Sequence, residues 1–166
     1  MAGTKGAETL QKLLHDTLRD TLDAERQITK ALPKMAKQAT NHVLKQGFEA
    51  HLQQTEEHIT RLERAFEMLE KTPRGKHCKG MEGLLMEGEE VMEEYEPGDL
   101  LDAALIAAAQ KVEHYEISAY GTLCTYAELL DLTEMKELLG TTLEEEKATD
   151  ETLTQSARQI NVDALQ

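Results

Sequence analysis

The sequence is short of cysteine, proline, glycine and positive charge. Its two cysteines, Cys78 and Cys124, stand 46 residues apart and form neither a CxxC nor a zinc pattern. Free thiols are expected rather than a disulfide framework. The glycines Gly75, Gly80, Gly83 and Gly88 are scattered singly, so no phosphate-cradling loop is present. No Ser–His–Asp or Cys–His arrangement emerges from spacing. No apolar run approaches the roughly 18 residues of a membrane span, and MAGTKGAETL lacks the apolar stretch of a signal peptide. A cytoplasmic location is therefore expected. Eighteen basic against 32 acidic residues leave a formal net charge of −14. Such a polyanion repels phosphates and anionic lipid, so neither nucleic acid nor membrane is an expected partner. Solubility alone accounts for much of this acidity, but part of it is a candidate for the interior.

What remains is helix. The length of 166 residues suits one domain with one core, with short flexible ends at about 1–6 and 161–166. Residues 7–39 carry Leu10, Leu14, Leu18, Ile28, Leu32 and Ala36 at helical spacing, with Pro33 expected to bend or interrupt them. Asn41 is a candidate cap for a second helix over 42–70. The breaker cluster KTPRGKHCKG follows, then a short helical piece at 80–95. Asp99 and Thr133 are candidate caps for helices over 100–131 and 134–160. Two tight joints and one connection of about 28 residues predict an all-α, ferritin-like four-helix bundle: two antiparallel hairpins joined by a crossover with a small helix of its own.

Each long stripe is interrupted near its middle by polar residues. At 100° per residue, Glu116 lies at the centre of the face formed by Leu105, Ala109, Val112, Tyr120 and Leu123, with Glu113 one turn back. His114 points away. Glu25 centres the first stripe, and Glu146 centres the fourth, with Asp150 one turn on. The second is centred on Thr55, flanked by His51 and His58. Glu25 to Thr55 is 30 residues and Glu116 to Glu146 is also 30, so the hairpins read as two copies of one design. Carboxylates meeting at one level of a core cost several kcal/mol per uncompensated charge. Protonation neutralises some of them; a pair of divalent metals does so with imidazole completing each shell. A diiron carboxylate bundle takes a Glu from each of two helices and Glu-x-x-His from each of the other two. Here the second helix keeps the His and has Thr55 for the Glu. The fourth keeps the Glu and has Thr149 for the His, with His51 and Asp150 as replacements.

The segments DTLDAERQITKALPKMA, FEAHLQQTEEHITRLE, DAALIAAAQKVEHYEISAYGTL and TLEEEKATDETLT resemble the YciF/YciE-like family of bacterial stress proteins in the ferritin-like superfamily, over about residues 8 to 160. The resemblance implies a helical subunit that forms a homodimer. Rubrerythrin, in the same superfamily, binds two irons and handles peroxide, with two Glu three apart on the third helix, matched here by Glu113 and Glu116. Glu25, His58 and Glu146 match further elements of that pattern, while Thr55 and Thr149 depart from it. No rubredoxin-like tail with four cysteines is present, so a full rubrerythrin peroxidase cycle is not expected.

The candidate metal ligands are Glu25, His51, His58, Glu113, Glu116 and Glu146. The competing readings are an exposed helix flank or hydrogen-bonded core pair for the acids, and satisfied core histidines for His51 and His58. Glu144 and Glu145 read as a solvated acidic face. Tyr120 reads as core with its hydroxyl on a carboxylate, Gln54 as a polar group that supports the site or sits at an interface, and Met81, Met86 and Met92 as packing beneath the crossover helix. Two functions stay open. One is a stress-response protein with dinuclear iron or manganese, acting on peroxide or dioxygen as a diiron-type oxidoreductase. The other is a non-catalytic dimeric stress protein with a metal-free polar core. A storage shell is a third and weaker option.

Overall fold

The computed structural model describes residues 2–165, with side chains from residue 6 onward. Among these residues all regular structure is helical. The elements are α1 (Ala2–Gln38), α2 (His42–Met68), α3 (Lys79–Glu94), α4 (Asp99–Leu129) and α5 (Thr133–Asp163). Helix thus extends into both ends expected to be short and flexible, and Met1 and Gln166 lie outside the described residues.

Short joints at 39–41 and 130–132 fold α1 on α2 and α4 on α5. Packing contacts run α1 to α2, α2 to α5, α5 to α4 and α4 back to α1, closing a square, and α3 covers the seam between α1 and α4. The linker before α3 is pinned to α1: Lys76 N donates to Arg19 O at 3.0 Å, and Cys78 N to Asp23 Oδ2 at 2.8 Å. This is the expected bundle of two hairpins and a crossover.

Local details differ from expectation. Asn41 caps α2, its Oδ1 accepting from Val43 N and Leu44 N at 3.0 and 3.1 Å. Asp99 and Thr133 are not caps. They are the first helical residues, and Gly98 and Leu132 before them make no side-chain capping bond. Pro33 does not interrupt α1. It lies on the exposed side, where water can hydrate the carbonyl that the missing N–H leaves free. Both cysteines are free thiols. Met81 is buried and Met92 packs on the core, but Met86 is 55% exposed and does not serve as packing.

The apolar interior falls into two blocks. One holds Leu32, Leu44, Phe48, Leu101, Leu105 and Leu153, toward the α1–α2 turn. The other holds Leu14, Leu18, Leu62, Phe66, Leu123 and Leu139, toward the opposite end. On α2, α4 and α5 the buried histidines and glutamates lie between the two blocks in sequence, and on α1 Glu25 stands where the blocks meet, just past Leu22 and Ala24.

Candidate metal centre

Glu25 of α1, His51 and His58 of α2, Glu113 and Glu116 of α4 and Glu146 of α5 converge in that middle layer, each 5% exposed or less. Each side is set by helical period. The i to i+7 spacing of His51 and His58, and the i to i+3 spacing of Glu113 and Glu116, place each pair along one inward stripe, one above the other. Ligand atoms of Glu25, His58, Glu116 and Glu146 lie within 4.8 Å of one another, and so do those of His51, Glu113, Glu116 and Glu146. Two four-residue groups therefore share Glu116 and Glu146, and each adds one further carboxylate and one imidazole.

Among the described residues, every buried side-chain nitrogen or oxygen without a hydrogen-bond partner belongs to this cluster. The set is Glu25 Oε2, His51 Nε2, His58 Nδ1, Glu113 Oε2 and both oxygens of Glu116 and Glu146. His51 Nε2 approaches Glu113 Oε1 to 3.1 Å and His58 Nδ1 approaches Glu146 Oε1 to 3.0 Å, without the direction of a hydrogen bond. The outer nitrogens are held from behind. His51 Nδ1 lies 3.4 Å from Gln54 Oε1, and His58 Nε2 lies 2.9 Å from Glu145 Oε2. An outer N–H fixed by an acceptor leaves the inner nitrogen as a lone pair, the tautomer that binds a metal. The Tyr120 hydroxyl donates to Glu25 Oε1, as its place in the stripe suggested.

The electrostatics follow from burial. Removal from water raises the carboxyl of Glu116 well above its ordinary range, and the charges of Glu25, Glu146 and Glu113 add to the effect. Glu146 is raised by burial, with His58 opposing. Burial alone would lower both imidazoles, but their carboxylate neighbours override it. Glu113 leads in holding His51 at about 9. Glu146 and Glu25 hold His58 at about 10.

Glu145 corrects the reading of residues 144–146 as a solvated face with one buried member. Only Glu144 fits that reading, 71% exposed and paired with Lys147. The Glu145 carboxylate, 28% exposed, takes Arg61 in a two-pronged grip at 2.5 and 3.0 Å while holding His58. Arg61 stands one turn after His58 on α2, but no spacing in the sequence places it opposite Glu145 on α5. Asp150 joins neither group. It accepts from Gln110 Nε2 at 3.1 Å and lies 3.2 Å from His114 Nε2, on the flank. Thr55 and Thr149 donate to their own helices, at His51 O and Glu145 O. His51 supplies the donor that Thr55 lacks, from one turn earlier.

The residues fit a pair of divalent ions. Four carboxylates carry as much negative charge as two such ions carry positive, with both histidines neutral. Two protonated histidines would offset half of it.

Residues 9–166 match the family described as a domain of unknown function, DUF892. The chain is 49% identical to Protein YciF of Escherichia coli K12 over 152 residues, covering 90% of this chain and 91% of that one. The crystal structure of the E. coli stress protein YciF superposes with a TM-score of 0.88 at 46% identity, covering 91% and 96% of the two chains. YcfI of Rhodopseudomonas palustris gives 0.85 at 46% identity, covering 87% and 92%. A Xanthomonas campestris protein shares the fold, with a TM-score of 0.76 at 19% identity over 92% and 94%.

Proposed function

From the premise that this chain belongs to the YciF-like DUF892 family, we propose that it is a stress-response protein holding two iron or manganese ions in its bundle core. The observation that carries this reading is the set of inward oxygens and nitrogens left without partners. A buried unsatisfied polar group costs about 1–3 kcal/mol, and more when charged. Where the other buried side-chain nitrogens and oxygens of the described residues have partners, such a concentration calls for a cation.

Glu116 and Glu146 belong to both groups and would hold both ions. Glu25 and His58 would complete one ion's shell, and His51 and Glu113 the other's. Tyr120 orients Glu25 by donating to it. Glu145, itself clamped by Arg61, turns the Nδ1 of His58 inward, and Gln54 does the same for the Nε2 of His51. Such metals, when bound, supply electrons to a small oxidant, peroxide or dioxygen. The apolar blocks above and below exclude bulk water from the layer. A homodimer in the cytoplasm is part of the same proposal.

Metal analysis of protein purified without chelator tests this. About two ions per chain are expected, lost on Glu116→Ala. No iron or manganese bound after anaerobic reconstitution would overturn it. The close His51–Glu113 and His58–Glu146 approaches favour a second reading, a metal-free core of imidazolium–carboxylate pairs in a non-catalytic protein. That outcome would support it.

A further inference from the structure

The two halves of the centre differ in what lies behind them. The Glu25/His58 half is backed by polar groups, with Tyr120 on Glu25 and the Glu145–Arg61 pair on His58. The His51/Glu113 half opens onto a cavity of about 30 Å³, walled by Leu32, Phe48, Val112 and Leu153 among others. Thr149 also lines it, but its hydroxyl proton is committed to Glu145 O at 3.1 Å. A second cavity, of about 20 Å³, lies under the crossover helix and shares Ala31, Met35, Leu85 and Val112 with the first as common walls. Its outer lining includes Gly88, Met92, Ala108 and the exposed ion pair Lys34–Glu89.

Size and lining select the guest. One water needs roughly 10–15 Å³ of such space, so each chamber takes a molecule of one or two heavy atoms. Cavities with apolar walls stay dry and accept apolar guests. Hydrogen peroxide would surrender hydrogen bonds to water along Leu32, Phe48, Val112 and Leu153 and could regain them only at the two polar ends, Lys34–Glu89 outside and His51/Glu113 at the centre. Dioxygen has none to surrender. We propose that the two chambers beneath α3 form an apolar passage that brings dioxygen, in preference to hydrogen peroxide, to the His51/Glu113 half of the centre.

What the guest meets rests on the metal reading above; the passage itself does not. Gly88 and Val112 set its bore. A methyl added at Gly88 would stand 3.9 Å from Ala108 Cβ, so alanine fits and a longer side chain fills the outer chamber. Val112 is a wall of both chambers.

Pressurising metal-free crystals with xenon tests the passage without any metal. Xenon is expected between Phe48, Val112 and Leu153 in the wild type, and absent from there in Val112→Phe. An empty inner chamber in the wild type would overturn the proposal. Xenon bound in a protein that takes up no metal would uphold the passage and overturn the metal reading alone. In iron-loaded protein, Gly88→Leu and Val112→Phe should keep the metal content and slow ferrous oxidation by dioxygen at least about tenfold. Gly88→Ala should leave it near wild type. Unchanged dioxygen rates in both filled variants, or a wild type that reacts faster with peroxide than with dioxygen at equal concentration, would overturn the route.

Discussion

Asp102 and Glu116 stand on the same helix, and both are buried, at 0% and 1% exposure. Asp102 is fully occupied. It accepts from Thr40 N at 2.9 Å, Thr40 Oγ1 at 2.6 Å and Asn41 N at 2.7 Å, tying the α1–α2 turn to the start of α4. Neither oxygen of Glu116 has a hydrogen-bond partner. The first carboxylate exchanges water for three donors and becomes a rivet. The second exchanges water for other acids. Burial alone therefore does not mark a functional acid in this protein; burial without donors does.

The contrast can be broken most forcefully at Asp102. Asp102→Ala leaves buried donors unmet and should lower the unfolding free energy by about 3–5 kcal/mol in urea titrations. Metal content per folded chain should not change. A small loss would mean the turn is held by packing instead.

The pH response of the metal-free protein comes next. His51 and His58 have folded values of about 9 and about 10, above the ordinary 6.5. The stability they contribute is fully present below 6.5 and is lost as pH rises through those folded values. Glu116, raised above its usual range, works in the same direction, because ionising it costs more in the folded state. Melting temperature without metal should fall between about pH 6.5 and 10. The gain on adding metal should grow over the lower part of that range, since binding displaces protons. A metal-free protein whose melting point holds flat across that window would contradict this electrostatic account.

Smaller effects sharpen the comparison. Glu145→Gln should weaken metal binding by about 10–100-fold without abolishing it, because it loosens His58 and removes no inner ligand. Competition with a chromophoric chelator would measure this. Glu116→Gln should raise metal-free stability by about 1 kcal/mol, because Gln has no carboxylate that must take up a proton on burial. Asp102→Asn should lower it. If both variants moved in the same direction, the distinction between the two acids would fail.

The bundle was legible because apolar spacing and two tight joints leave few arrangements of four long amphipathic helices. All six converging residues lay at or beside the centre of a stripe: Glu25, Glu116 and Glu146 at it, and Glu113, His51 and His58 within a turn of it. What escaped depends on partners across helix gaps. Within Glu144–Glu146 the helical wheel separates inward from outward, but it does not show that Arg61 waits opposite Glu145. Asp102 looked like an ordinary first-turn acid, since nothing near it in sequence reveals that Thr40 and Asn41 arrive there. Asp150 was a candidate because it follows Glu146 by one turn. Its position on the helix rotates it just far enough to reach Gln110 and His114 instead.

Anomalous diffraction from crystals soaked in manganese tests the central claim most directly. Two peaks are expected in the middle layer, both within bonding distance of Glu116 and Glu146, one next to His58 and the other next to His51. No anomalous density at that depth, with ordered water or direct carboxyl–imidazole hydrogen bonds satisfying those same oxygens and nitrogens, would contradict it.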